Sequence, residues 1–320
     1  MLKVKFCDAT RISSKFWLYL LSMSKFKYSS HKRNYSKISE KIKPVKIAYS
    51  SYESTNDAQS NSNINRDPVI IMHGILGSKN NWNSLSKVVH GRTHLKIIAV
   101  DARNHGDSPQ TQEFNYPCLA EDIHQLMTDL NITKINAIGH SLGGRTMMFF
   151  ALKYPHLINS LIVVDISPIR ISPAILELTR IFDAMLSLKL ENGIPLSKAR
   201  ILADQQLMEV VPDTYMRHFL LTNLVGNENG QYKWRVNLES LVNNFSSIMN
   251  FKPPNGKYTG PVLFIGGKKS TFLTEDDHEG ILKLFPKSEF KYVEDAGHWV
   301  HSEKPVEFLD LVCKFLNNIN

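Results

Sequence analysis

Short, nearly uninterrupted apolar runs recur along this chain, and stretches with helical spacing separate them. Residues 68–73 (PVIIMH), 95–101 (LKIIAVD), 134–139 (KINAIG), 161–165 (LIVVD), 261–266 (PVLFIG) and 290–294 (FKYVE) read as strands. Strands of Val, Ile and Leu without polar alternation need cover on both faces, and intervening helices supply it. The pattern therefore demands an α/β architecture, a mostly parallel sheet with helices on both faces. Helices are predicted over 82–89, 119–130, 144–154 and 305–317, with an alternating edge strand at 46–52 and a polar loop at 53–67. From about 169 to 251 the rhythm breaks. This stretch shows no clear strand and reads as amphipathic helices, 175–188 among them. It lies between two sheet strands, so it is expected to form a helical lid inserted into the larger domain.

The strand at 134–139 runs directly into Gly139-His140-Ser141-Leu142-Gly143, and a helix follows. A G-x-S-x-G alone is weak, but between a buried strand and a helix it describes a turn so tight that its flanking residues must be small. Such a turn holds the Ser141 hydroxyl exposed at the carboxyl edge of the sheet, as a nucleophile requires. A serine nucleophile needs a base, and His298 lies in Asp295-Ala-Gly-His-Trp299, after the last strand and before the final helix. His301 is its competitor.

The acid is less obvious. In folds with this turn it commonly follows the penultimate strand in a Gly-x-x-Asp pattern, but here that stretch reads Gly267-Lys268-Lys269-Ser270. Asp165 ends the strand after the nucleophile helix, and adjacent parallel strands bring their carboxyl ends side by side. Asp165 is the expected acid and Glu239 the alternative. For the oxyanion, the backbone N–H groups of Ile75, in the loop 73–77 (HGILG), and Leu142 are the expected donors. Asp101 and Arg103 are read as bracing the loop beneath the site. No metal-ligand spacing and no phosphate-binding Gly-rich loop occurs, so no metal and no cofactor is expected.

Charge is distributed unevenly. Residues 1–47 hold 12 Lys/Arg against two acids, and the remainder 26 against 28, within a total of 38 and 30 over 320 residues. The body is near neutral, which disfavours a nucleic-acid surface. Residues 1–45, basic, Ser-rich and poor in acids, read as a mitochondrial transit peptide ahead of a domain over 46–320, with the matrix as destination. No apolar run reaches the ~20 residues that span a bilayer. The three cysteines form no disulfide framework and no CxxC pair.

HGILGSKNNW (73–82), VDARNHGDSP (100–109), GHSLGGRT (139–146), VVDISP (163–168), LTNLVGNENGQYKWRVNLESL (221–241) and AGHWVHSEKP (296–305) are similar to segments of the α/β-hydrolases. Over about residues 45–318 the chain resembles a mitochondrial branch of that family. The resemblance implies an α/β-hydrolase fold and a serine hydrolase of lipid or short-acyl esters, with diacylglycerol among them. It also implies an acid after the strand that carries Asp165. Relatives that transfer acyl groups to alcohols imply an acyltransferase as the alternative, and an intact Ser–His–Asp set argues against a non-catalytic binding protein. The expected partner is a small acyl ester or lipid. A serine at position 141 excludes chemistries that need aspartate there.

Overall fold

The computed structural model describes residues 42–54, 66–227 and 229–319. The basic leader, apart from its last few residues, lies outside them, as does most of the polar loop at 53–67. Seven strands form the main sheet: β1 (Tyr49–Tyr52), β2 (Val69–Met72), β3 (Ile97–Val100), β4 (Ile135–His140), β5 (Ile158–Val164) and, after an insertion that contains β6 and β7, β8 (Val262–Gly267) and β9 (Ser288–Val293). Their spatial order is β1-β3-β2-β4-β5-β8-β9, with β1 antiparallel to β3 and all other pairs parallel. This is the α/β architecture the apolar runs demand, a mostly parallel sheet with one antiparallel edge.

The uninterrupted strands have a direct physical reason. In β2, Ile70 and Met72 enter one core cluster while Val69 and Ile71 enter another, and in β3 Ile98 and Val100 are likewise separated from Ile97 and Ala99. Successive side chains point to opposite faces, and each face is covered. Helices α1 (Asn83–Thr93) and, at the far end of the chain, Pro305–Ile319 cover one face through Leu85, Val89, Phe308, Val312 and Leu316. Helices α2 (Tyr116–Asp129) and α3 (Leu142–Lys153) cover the other through Leu119, Ile123, Met147 and Phe150. Within this sheet only the edge strands β1 and β9 alternate between more and less exposed residues.

Between β5 and β8 the chain leaves the sheet. It forms the helices α4 (Glu177–Leu186), α5 (Leu196–Leu207), α6 (Thr214–Leu221), α7 (Leu238–Asn243) and α8 (Phe245–Met249). It also forms a hairpin that the sequence pattern does not announce, β6 (Leu224–Gly226) paired antiparallel with β7 (Tyr232–Trp234). Each strand is three residues long, too short for alternation to register. Buried Arg145, on α3, fastens both ends of the insertion to the sheet domain. Its guanidinium donates to the carbonyls of Ser167 (3.1 Å) and Arg170 (2.7 Å) at the start and of Met249 (3.4 Å) at the end.

Candidate active site

The tight turn after β4 is built as its glycines require. A Cβ at Gly139 would stand 2.6 Å from the Gly144 amide nitrogen and closer still to the Gly143 carbonyl. At Gly143 it would come within 2.7 Å of the His73 carbonyl oxygen. Ser141 between them has φ 53 and ψ −113, a conformation costly for a residue with a side chain. Its N–H is bonded to the carbonyl of Val164 (3.0 Å), which places it beside the end of β5.

Asp165 stands at that end, fully buried, with φ 50. Its N–H bonds the carbonyl of Ile265 (2.8 Å), so adjacent strand ends hold both residues. The carboxylate is held from two sides. Oδ1 accepts the Gly267 N–H (3.1 Å), and Oδ2 accepts both the Ser270 hydroxyl and His298 Nδ1–H, the latter at 2.7 Å. An imidazole that donates through Nδ1 leaves Nε2 as the basic nitrogen. The ring of Phe272 stacks on that imidazole at 3.9 Å between centroids. The loop carrying His298 is braced by Glu303, whose carboxylate accepts the N–H groups of Gly297 (2.7 Å) and Trp299 (3.1 Å).

Ser141, His298, Ile75 and Leu142 line one cavity of about 290 Å³. Leu142 opens α3, so its N–H has no helical acceptor. In the loop 73–77 the Leu76 N–H is bonded to His105 Nε2 (3.1 Å) and the Gly77 N–H to the Gly74 carbonyl (3.0 Å). No acceptor among the described residues takes the N–H of Ile75, which is thus available to a ligand. Leu76, with φ 62, makes the turn. Gly74 is needed because a Cβ there would meet His140 Nδ1 at 2.8 Å.

Neutral histidines support this loop. His73 accepts the Ala102 N–H at Nε2 (3.1 Å) and donates from Nδ1 to the Gly74 carbonyl (2.7 Å). His105 donates from Nδ1 to the Arg103 carbonyl (3.0 Å). Burial holds His73 below its ordinary pKa and takes His105 down to about 3. His140 donates from Nε2 to the carbonyl of His298 (3.0 Å), tying the residue before Ser141 to the loop that carries His298. Burial, and then the charges of His301 and His298, keep His140 well below its usual pKa. His301, the competing histidine, is stacked on Trp82 at 4.5 Å, and burial pushes it down to about 3.

Asp101 and Arg103 brace the surrounding loops. Asp101 accepts Lys79 N–H (2.7 Å), Lys79 Nζ (2.6 Å) and the Asp107 N–H (2.9 Å). Arg103 makes a two-point ion pair with Asp122 at 2.6 and 2.7 Å. Glu239 is exposed in the first turn of α7 and does not line the cavity. The insertion contributes Ile175, Leu178, Ile181, Met216 and Ile248 to the cavity wall. Not every apolar residue expected there takes part. Phe182 and Met185 pack into the core, and Met208 faces solvent at the end of α5. Among the described residues no group of three or more His, Cys, Asp or Glu converges as a metal-ligand set. Nor is any described helix long and apolar enough to cross a membrane.

Ser270, Glu303 and His140 were not singled out by sequence reasoning. The signal for Ser270 was present, a hydroxyl where an acid is commonly found. Glu303 and His140 act on backbone groups, which leave no side-chain pattern to read.

A sequence model of the alpha/beta hydrolase fold matches residues 67–305. The chain is 39% identical over 273 residues to a protein of Danio rerio named sn-1-specific diacylglycerol lipase ABHD11, covering 85% of this chain and 83% of that one. It is 29% identical over 297 residues to ethanol acetyltransferase 1 of Cyberlindnera fabianii, covering 85% of this chain and 87% of the relative. Among solved structures, a marine microorganism esterase superposes with a TM-score of 0.74 at 30% identity, covering 85% of this chain and 99% of its own.

Proposed function

The chain belongs to the α/β-hydrolase family and is an enzyme of the lipase and esterase type; we propose that it cleaves neutral acyl esters, diacylglycerol among them, through Ser141, His298 and Asp165. Ser141 Oγ attacks the acyl carbon while His298 Nε2 takes the hydroxyl proton. Asp165 holds the ring by Nδ1–H and stabilises the imidazolium that forms. The N–H groups of Ile75 and Leu142 receive the developing oxyanion. Collapse releases the alcohol, protonated by His298, and leaves an acyl-enzyme. A water activated by the same nitrogen then frees the acid and restores Ser141.

The observation that carries this reading is the 2.7 Å bond from His298 Nδ1 to Asp165, with Ser141 and His298 on the wall of one cavity. Its test is release of fatty acid from diacylglycerol by the wild-type protein and by Ser141→Ala. The variant should lose on the order of 10⁴–10⁶ in turnover and keep its fold. Retained turnover would remove Ser141 from the reaction.

A second reading is acyl transfer to an alcohol. The similarity to an ethanol acetyltransferase and the apolar wall supplied by the insertion support it, since a cavity poor in water lets an alcohol compete for the acyl-enzyme. Hydrolysis in the presence of ethanol, with free acid and ethyl ester counted separately, distinguishes the two. We place the enzyme in mitochondria on the composition of residues 1–45, read as a leader, with residues from about 169 to 251 as its lid. A reporter fused to residues 1–45 should reach mitochondria, and secretion into the medium would refute that placement.

A further inference from the structure

We propose that Asn223, in the insertion, is a positioning residue that completes the oxyanion site by holding the backbone turn beside Ile75. The inference rests on the reading of Ser141 and of the Ile75 and Leu142 N–H groups given above, and goes beyond it. Asn223 lies between α6 and β6 and is buried. Its N–H bonds the Leu220 carbonyl (3.0 Å), and its carbonyl accepts the N–H of Arg235 (2.7 Å), just past β7. The last turn of α6 and the hairpin thus fix the backbone of Asn223 from both sides. Its side chain reaches 147 positions back along the chain, where Nδ2 donates to the Leu76 carbonyl (2.7 Å) in the loop 73–77.

Two peptide planes carry the effect from Asn223 to Ile75. In a trans peptide the C=O and the following N–H point in opposite directions, so a bond that fixes one fixes the other. The Leu76 carbonyl, held by Asn223, shares its plane with the Gly77 N–H, which bonds the Gly74 carbonyl (3.0 Å). The Gly74 carbonyl, which also accepts His73 Nδ1–H (2.7 Å), shares its plane with the N–H of Ile75. That N–H is therefore directed away from both donors. The turn between the two planes passes through Leu76 at φ 62, a left-handed conformation that a residue with a Cβ disfavours. Two bonds keep it there, His105 Nε2 on the Leu76 N–H (3.1 Å) and Asn223 on the carbonyl. The insertion supports the first of these as well. The Asn237 N–H bonds the Asn104 carbonyl (2.9 Å) and Asn104 Nδ2 donates to Ser240 Oγ (3.0 Å), next to His105. Without the Asn223 amide the buried Leu76 carbonyl loses its donor, the plane it shares with Gly77 can rotate, and the N–H of Ile75 loses its aim.

The test uses the full chain, an uncharged nitrophenyl ester and two inhibitors of one carbon skeleton, with melting temperature recorded for each variant. One inhibitor is an alkyl trifluoromethyl ketone. Ser141 Oγ adds to its carbonyl carbon, the hydroxyl proton passes to His298 Nε2, and the carbonyl π pair moves onto the oxygen as an oxyanion. The other is the corresponding trifluoromethyl alcohol, which cannot be attacked. Asn223→Ala should lower kcat on the order of 10–100-fold with little change in KM, less than outright removal of an oxyanion donor because the N–H is displaced and not deleted. The inhibition constant of the ketone should rise by a similar factor while that of the alcohol stays the same. Asn223→Leu fills nearly the same volume without a donor and should repeat the pattern, which separates the lost bond from the space an alanine leaves. Thr222→Ala, which removes an exposed hydroxyl bonded to the Phe219 carbonyl, should behave as wild type. Folded Asn223→Ala and Asn223→Leu with the kcat of Thr222→Ala would overturn the positioning role. So would a fall in kcat with unchanged affinity for the ketone, or an equal weakening of ketone and alcohol, since the damage would then lie outside the oxyanion site. A ketone bound no tighter than the alcohol by the wild-type protein would instead overturn the Ser141 and oxyanion reading itself, so the two failures are separable.

Discussion

Replacing Gly139 by alanine should cost catalysis about 10²-fold while the protein still folds. The added Cβ would stand 2.6 Å from the Gly144 nitrogen and closer to the Gly143 carbonyl, whereas ordinary contacts begin near 3.4 Å. Both neighbours are backbone atoms of the turn and first residues of α3, so no flexible side chain can yield. The turn must open by roughly 1 Å, and a misplacement of that size costs about 10²-fold in rate. Overpacking of this kind destabilises by about 1–3 kcal/mol, within the roughly 5–15 kcal/mol that keeps a domain folded. Gly91→Ala is the paired control. It lies in α1 with nothing within 4 Å of the added Cβ, so helix propensity alone acts and should stabilise by about 0.5–1 kcal/mol. Both are measured by kcat on a nitrophenyl butyrate and by denaturant unfolding. If Gly139→Ala turned over at the rate of Gly91→Ala, the tight turn would not be what positions Ser141.

Two further outcomes follow from the cavity and its histidines. With Ile175, Leu178, Ile181, Met216 and Ile248 in the wall, kcat/KM should climb from acetate toward a short or medium acyl chain, by up to about 0.8 kcal/mol per methylene, and fall once the cavity of about 290 Å³ is full. A flat profile from two to twelve carbons would mean that the insertion does not line the acyl site. His301 and His105, each held down to about 3, favour the folded state most above the ordinary histidine pKa and lose that contribution as pH falls from about 6.5 toward 3. His301→Phe keeps a ring on Trp82 and removes one titrating group, so its unfolding free energy should fall less steeply between pH 6.5 and 4.5, by up to about 1.4 kcal/mol per pH unit. An unchanged slope would refute the neutral state assigned to His301.

What was legible in the sequence is what repeats or what a single residue type must satisfy. The strands β2, β3, β4, β5 and β8 could be read because burial on both faces leaves little place for polar residues, and the buried Asn136 and Ser160 of β4 and β5 bond each other (2.7 Å). Gly139 and Gly143 could be read because only glycine fits the turn. Asp165 was legible as the end of a strand adjacent to the one that leads into Ser141, and the structure brings it within 2.7 Å of His298. The hairpin β6–β7 was not legible, since three-residue strands carry no period. Nor were the supports. Glu303 acts on two amides and His140 on a carbonyl. Such partners are chosen by tertiary geometry. The same holds for Met208, which shares its type with Met216 but ends its helix facing solvent while Met216 lines the cavity.

The most direct measurement is labelling with a fluorophosphonate, which reacts with an activated serine, followed by mapping of the modified residue. The account predicts a single adduct on Ser141, absent in Ser141→Ala and strongly slowed in His298→Ala, because the serine is reactive only when the imidazole held by Asp165 takes its proton. An adduct on another serine, or labelling of Ser141 at full rate without His298, would contradict it.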